Sequence, residues 1–290
     1  MAALPTQSSF PLPTLPPKTI TQSGFRISTL KLPILNSSEI DAMTERLTIA
    51  PPEMIFGKNY VEIEHIASGW AIRFDAESAL DTVGKDGERM LKVSYSEEWS
   101  KMRSSMTSSI KEIVKPFDWS YTPTNYAGTV TTPPPASTTT ESSTSFEFKQ
   151  TDKPLPLHLL SAPDPILFFD EVHHYEDELA DNGIALLSTK IRVMPQRLLL
   201  LCRFFLRLDG VIVRVNDVRV YVEFGEEKVV REVVEREESY KDVVEKLRRR
   251  GVMGDDLPSV LRDAHAVAEV MGEGKVRREE LILKGVKKPE

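Results

Sequence analysis

The first residues that could do chemistry are arginines. From Lys190 to Tyr221 the chain reads KIRVMPQRLLLLCRFFLRLDGVIVRVNDVRVY, apolar residues and arginines at the two-residue period of a strand. Asp209-Gly210 suits a two-residue hairpin loop, because both types tolerate the positive φ such loops need, and Asn216-Asp217 is a weaker signal of the same kind. Two turns there would set Leu208 opposite Val211, Val215 opposite Val218 and Val213 opposite Val220, with Cys202, Phe204 and Leu206 extending one apolar face. The other face would collect Arg203, Phe205, Arg207, Ile212, Arg214, Arg219 and Tyr221, with Arg214 directly across from Arg219. Like charges so placed repel. They call for neutralisation by Asp209, Asp217 or Glu223, or for an anion that both arginines bind. One long strand bulged at Asn216-Asp217 fits the same residues.

Metal or hydrolytic chemistry has one candidate. Glu171, His173, His174, Asp177 and Glu178 form a ligand-rich cluster, and a metal-dependent hydrolase would draw on Glu171, His174 and Glu178. On a strand, however, His173 and His174 point to opposite faces. The chain has no HExxH, no CxxC pair, no GxSxG elbow, no Walker loop and no GxGxxG. Its single cysteine, Cys202, falls on the apolar face, where burial raises a thiol's pKa rather than activating it. These features predict a protein that is not an enzyme and needs no cofactor. Two further stretches mix rings with charge or apolar bulk: KPFDWSY, Lys115 to Tyr121, and PEMIFG, Pro52 to Gly57. Rings beside cations suit a peptide groove, while the plainer account has Phe117 and Trp119 closing the edge of a core.

Composition narrows the partners. With 37 Lys and Arg against 44 Asp and Glu, the chain's formal charge is -7, which argues against bulk nucleic-acid binding. A basic face on an acidic protein points instead to a specific small or peptidic anion. No apolar run approaches the ~20 residues that span a membrane. The proline-rich start lacks the basic and apolar regions of a secretory signal. A lone cysteine fits a reducing compartment, so cytoplasm, with nucleus as a second location, is the expected setting.

The elements that must position these residues read as α+β: an antiparallel, curved β-sheet core with flanking helices. Residues 1–21 are expected to be a disordered proline-rich tail, 22–283 one domain interrupted by a disordered Thr/Ser/Pro insert at about 129–163, and 284–290 a C-terminal tail. Phe25 to Leu32 is a first strand candidate. Asn36 with Glu39 forms a capping box for a helix through Leu47 that gathers Ile40, Met43 and Leu47. Tyr60 to Ile66 and Gly69 to Asp75 alternate like a strand pair carrying Trp70, Ile72 and Phe74 on one side. Met90 to Val93 reads as a strand, and Ser94 or Ser96 as the cap of a helix through Met102. Val229 to Val234 fits a strand after a turn at Gly225-Glu226, although helix is open there. Ser239 can cap a helix to Arg250 that Gly251 stops, and a last helix is expected over Leu257 to Met271.

Taken together, PEMIFG, the W-x-I-x-F-x-A pattern within Gly69–Leu80, MLKVSYSEEW, IVKPFDWSYT, FFDEVHHYEDEL-x-D-x-G and KIRVMPQRLLLLCRFFLRLDGVIVRVNDVRVYVE resemble the TOR signalling pathway regulator-like (TIPRL-like) family, this chain being a fungal-type member. The resemblance runs in order from about Gly24 to Leu283. The proline-rich start, the Thr/Ser/Pro insert and the charged C-terminal part depart from it, the last keeping only REVVEREESY and ELIL. It implies a non-enzymatic regulator that binds the catalytic subunit of type 2A-family phosphatases, including its short acidic-aromatic C-terminal tail, in TOR signalling. An alpha-four-type phosphatase-associated protein is a further implied partner, and a monomer is the default. A tail ending in an apolar residue and a free carboxylate needs a cation, a ring and an apolar slot. Arg214, Asn216, Asp217, Arg219 and Tyr221 are the candidate rim, with Lys115, Asp118 and Trp119 beside them.

Overall fold

Apolar–polar alternation makes most of the chain strand, and the strands assemble as two antiparallel sheets. The computed structural model describes residues 15–85, 117–132, 146–226 and 228–283. The smaller sheet orders β1 (Lys18–Gln22), β2 (Phe25–Leu30), β4 (Tyr60–His65), β5 (Trp70–Asp75) and β6 (Thr129–Thr131). The larger runs β3 (Met54–Ile55), β8 (Phe168–Asp177), β9 (Gly183–Val193), β10 (Arg197–Leu208), β11 (Ile212–Glu223), β12 (Lys228–Ser239), β13 (Lys275–Ile282) and β7 (Lys149–Gln150). Helices α1 (Ser37–Leu47), α2 (Ala76–Asp81), α3 (Leu157–Leu160), α4 (Tyr240–Arg249), α5 (Asp256–Val260) and α6 (Ala264–Val270) flank them. The α+β class read from the sequence holds.

The sheets share one apolar core. Ile27, Val61, Ile63, Trp70, Ile72 and Phe74 from the smaller sheet are buried with Val172, Tyr175, Leu187, Ile191, Leu198, Leu200, Cys202, Phe204, Leu206, Val218, Val220 and Val222 from the larger. Each fully buried aliphatic side chain contributes about 1.5–3 kcal/mol. On the outer side of the larger sheet a second cluster forms, where Phe205, Val213 and Val215 meet Val243, Val244 and Leu247 of α4 and Val267 and Val270 of α6. The two caps read from the sequence are present. Asn36 and Glu39 make a reciprocal capping box for α1, and the Ser239 hydroxyl accepts from Asp242 N to start α4.

Several boundaries move. The tail ends earlier than residue 21, because Lys18–Gln22 pairs with Phe25–Leu30 and sets Ile20 opposite Ile27. Ser23 and Gly24 carry the positive φ values of 49° and 81° that a tight two-residue hairpin requires. The insert also shrinks: Thr129–Thr131 pairs with β5, Lys149–Gln150 pairs with β13, and α3 lies inside its expected span. The strand at Met90–Val93 and the helix through Met102 lie outside the described residues. The expected last helix breaks in two, since Asp263 accepts from His265 N and Ala266 N and starts α6 afresh. The strand β13 beyond it was not anticipated.

The β10–β11 turn also differs. Its loop holds three residues, Asp209-Gly210-Val211, so Leu208 pairs with Ile212 rather than Val211. Gly210 takes the left-handed conformation there, at φ 74°. Asn216-Asp217 is neither turn nor bulge. β11 runs through it with unbroken register against both neighbours. Val213 therefore does not meet Val220, nor Val215 Val218.

Candidate functional site

Register decides which arginines can act together. Along β11, Val218, Val220 and Val222 face the inner core, so Arg214 and Asn216 share their side. Val213 and Val215 face the outer helices, and Asp217, Arg219 and Tyr221 share that side. Arg214 and Arg219 are thus on opposite faces, and the expected face-to-face arginine pair does not exist. Each lies across from a glutamate instead, Arg214 opposite Glu237 and Arg219 opposite Glu232.

On the inner side, the Arg214 guanidinium donates to Glu237 and, at 3.2 Å, to the Thr122 hydroxyl. That hydroxyl lies 2.7 Å from Ser120 Oγ, which donates to the buried Asp118 at 2.7 Å. This chain of polar contacts pins the 118–125 loop to β11. Asp118, Arg214 and Asn216 then line one open polar groove of about 530 Å³. Its inner-side charges lean acidic, Asp118, Glu235, Glu237 and Glu273 against Arg214 and Lys275, while Arg236 and Glu238, which also line it, come from the outer face of β12. Trp119 is half-buried against the main core, which is the plainer of its two expected roles. Lys115 lies outside the described residues.

On the outer side, Asp217 is fully buried and three guanidiniums converge on it. Arg203 binds it through two nitrogens at 2.6 and 2.8 Å, Arg219 at 2.9 Å and Arg236 at 3.5 Å. Arg219 also binds Glu232 at 2.9 Å, and Arg278 reaches Glu232 at 2.7 Å. Four guanidiniums meet two carboxylates there, while Glu280, opposite Val230, and Glu223, which accepts from the Tyr221 hydroxyl, add two further carboxylates on the same face. Arg236 Nη1 is buried and makes no hydrogen bond among the described residues.

Two covers flank this cluster. At one end Arg203 and Arg207 donate to the carbonyls of Ala264 and Leu261, tying the helices to the sheet. At the other, the segment from Thr151 to Asp164 crosses the face. Thr151 N bonds to Arg278 O of β13, Leu155 is buried on Tyr221 and Val230, and Arg197 and Arg192 donate to the carbonyls of Leu159 and Leu160. Tyr221 therefore sits under the chain's own leucine. Burial, then the nearby Glu223 carboxylate, pushes its phenol up to about 12.

The histidine cluster comes apart. A register shift between His173 and Tyr175 turns His174 inward, where its ring lies 2.8 Å from the Thr189 hydroxyl. Burial drives its pKa down to about 3. Glu171 pairs with Lys190 at 3.2 Å, and Glu178 is exposed, so the three are not brought together. Among the described residues no group of three or more His, Cys, Asp or Glu is placed to hold a metal ion. The Cys202 thiol is pushed up to about 12 by burial.

Sequence reasoning placed Arg203 on the right face but omitted it from the candidate rim, and it missed Glu232, Arg236 and Arg278 entirely. The four-residue spacing of Glu232 and Arg236 marks one strand face and could have found that pair. Arg278 stands on the unanticipated β13.

Fold and face together define a two-sheet α+β protein whose outer surface carries an arginine-rich ion cluster. The chain belongs to the TIP41-like family, whose sequence profile matches residues 54–244. It is 42% identical over 266 residues to the type 2A phosphatase activator TIP41 of Saccharomyces cerevisiae, covering 86% of this chain and 70% of that protein. A TIP41-like protein of Dictyostelium discoideum is 34% identical over 89% of this chain and 90% of its own length. The human TIP41-like protein is 39% identical over 73% of this chain and 74% of its own.

Proposed function

We propose that this protein is a non-enzymatic regulator that binds the catalytic subunit of a type 2A-family phosphatase, reads its acidic-aromatic C-terminal tail, and acts in TOR signalling in the cytoplasm and nucleus. The Saccharomyces cerevisiae and Schizosaccharomyces pombe relatives bear the name type 2A phosphatase activator. The observation that carries the tail-reading part is the convergence of four guanidiniums on Asp217 and Glu232, next to the apolar patch of Leu199, Tyr221 and Val230. Such a face offers a carboxylate charge-assisted hydrogen bonds and an aliphatic or aromatic side chain a slot. The inner groove at Arg214 leans acidic and would repel an acidic tail, so Arg219, not Arg214, is the reading residue.

The test is titration of the full chain with a peptide copying the catalytic subunit's C-terminus, as free acid and as amide. Saturable binding that weakens about tenfold or more on amidation, and again with Arg219→Ala, supports the reading. Equal binding of both peptides removes carboxylate recognition from it. Loss of binding to the intact catalytic subunit as well would remove the phosphatase.

A further inference from the structure

The slot next to the arginine cluster is already filled by the protein itself. The segment that follows β7 leaves the β13 edge at Thr151 and crosses the outer face strand by strand, meeting Val230 of β12, Tyr221 of β11, Leu199 and Arg197 of β10 and Arg192 of β9 before joining β8. Its sequence between residues 155 and 164 is LPLHLLSAPD, aliphatic residues followed by an acid. Leu155 occupies the apolar patch and is 4% exposed, with Leu160 half-buried beside it. Asp164 sits on Arg197 at 3.1 Å.

We infer that residues 155–164 are a displaceable internal ligand of this face, and that an external extended peptide of aliphatic and acidic side chains binds by taking their place. The attachment is thin for a stretch that spans four strands. The described contacts include the buried Leu155, the half-buried Leu159 and Leu160, two arginine-to-carbonyl hydrogen bonds and one ion pair. The same sheet face is held at its other end by α4 and α6, which bury Val243, Leu247, Val267 and Val270. The chemistry of the crossing segment also matches what the face is built to hold: an aliphatic side chain against Tyr221 and a carboxylate against a guanidinium. An occupant that copies the expected ligand lowers apparent affinity by its own occupancy, and its removal raises that affinity.

The inference rests on the tail-reading proposal for the identity of the external peptide, but the internal contact can be tested alone. The probes are a synthetic peptide copying residues 153–165 and the phosphatase tail peptide, each titrated against the full-length chain and its Leu155→Ala/Asp164→Asn variant. Unchanged circular dichroism checks that the variant folds. The account expects the 153–165 peptide to bind the variant and not the parent chain, and the tail peptide to bind the variant about tenfold tighter and to compete with the first peptide. If the 153–165 peptide binds the variant while the tail peptide binds neither protein, the internal ligand stands and the tail-reading proposal falls. If the tail peptide binds both proteins equally and the 153–165 peptide binds neither, the segment is a structural connection and the inference is overturned. Hydrogen exchange at residues 155–160 adds a readout independent of any ligand: protection lost well before that of β11 supports displacement, and protection equal to β11 refutes it.

Discussion

The two sides of the larger sheet share the same backbone ladder yet are sealed by opposite means. The inner side is closed by a second sheet, and its centre is a mainly apolar layer from Val172 and Leu187 through Cys202 and Phe204 to Val218, interrupted by the buried His174–Thr189 pair. The outer side is apolar only in two separate patches, and ions occupy the gap. A close-packed, mainly apolar interior is rigid and closed to ligands, whereas ions between two covers keep a charged surface within reach of solvent. The proposed binding site is placed on the second side for that reason.

Substitutions on each side should separate the two modes. The largest effect is expected at the centre of the ion cluster. Asp217→Ala leaves three guanidiniums without their shared partner and should lower stability by about 3–5 kcal/mol, read by denaturant unfolding. A Leu247→Ala change under the helical cover should lose about 2–5 kcal/mol in the same assay, as for other buried leucines. On the inner side, His174 gives a pH-dependent test. Above its ordinary value of 6.5 the imidazole is neutral whether the chain is folded or not. Below that value the unfolded chain takes a proton that buried His174 refuses until about pH 3. Stability should therefore fall by about 1.4 kcal/mol per pH unit through that window, and His174→Gln should flatten the slope. The smallest effect is expected at the crossing segment, where a segment that opens locally first, as inferred above, makes Leu155→Ala cost about 1 kcal/mol or less in global unfolding. A global loss as large as that of Leu247→Ala would erase the contrast between the two covers.

Much of the inner side was legible in the sequence. Alternation at Tyr60–Ile66 and Gly69–Asp75 put Trp70, Ile72 and Phe74 on one face, and all three are fully buried. The Asn36/Glu39 box was legible because its partners are three residues apart and need no tertiary information. The site was harder to read. Asn216-Asp217 carries turn-forming residue types, but Asp217 is held in a strand by Arg219 two residues on and by Arg203 and Arg236 from the neighbouring strands, cross-strand contacts that no local pattern records. One wrong turn moved Arg214 to the wrong face, since a strand's side chains alternate at every residue. The strands β1 and β13 escaped notice because proline-rich and charged surroundings masked Ile20, which pairs with Ile27, and Leu281, which pairs with the distant Val229. Nor does any local signal say that Leu155 would return to Tyr221.

The most direct measurement is the affinity of the intact type 2A catalytic subunit for three full-length proteins: the parent chain, Arg219→Ala and Arg214→Ala. The account predicts at least a tenfold loss for Arg219→Ala on the outer face and little change for Arg214→Ala on the inner one. Equal losses, or a loss confined to Arg214→Ala, would contradict it and move recognition to the acidic groove.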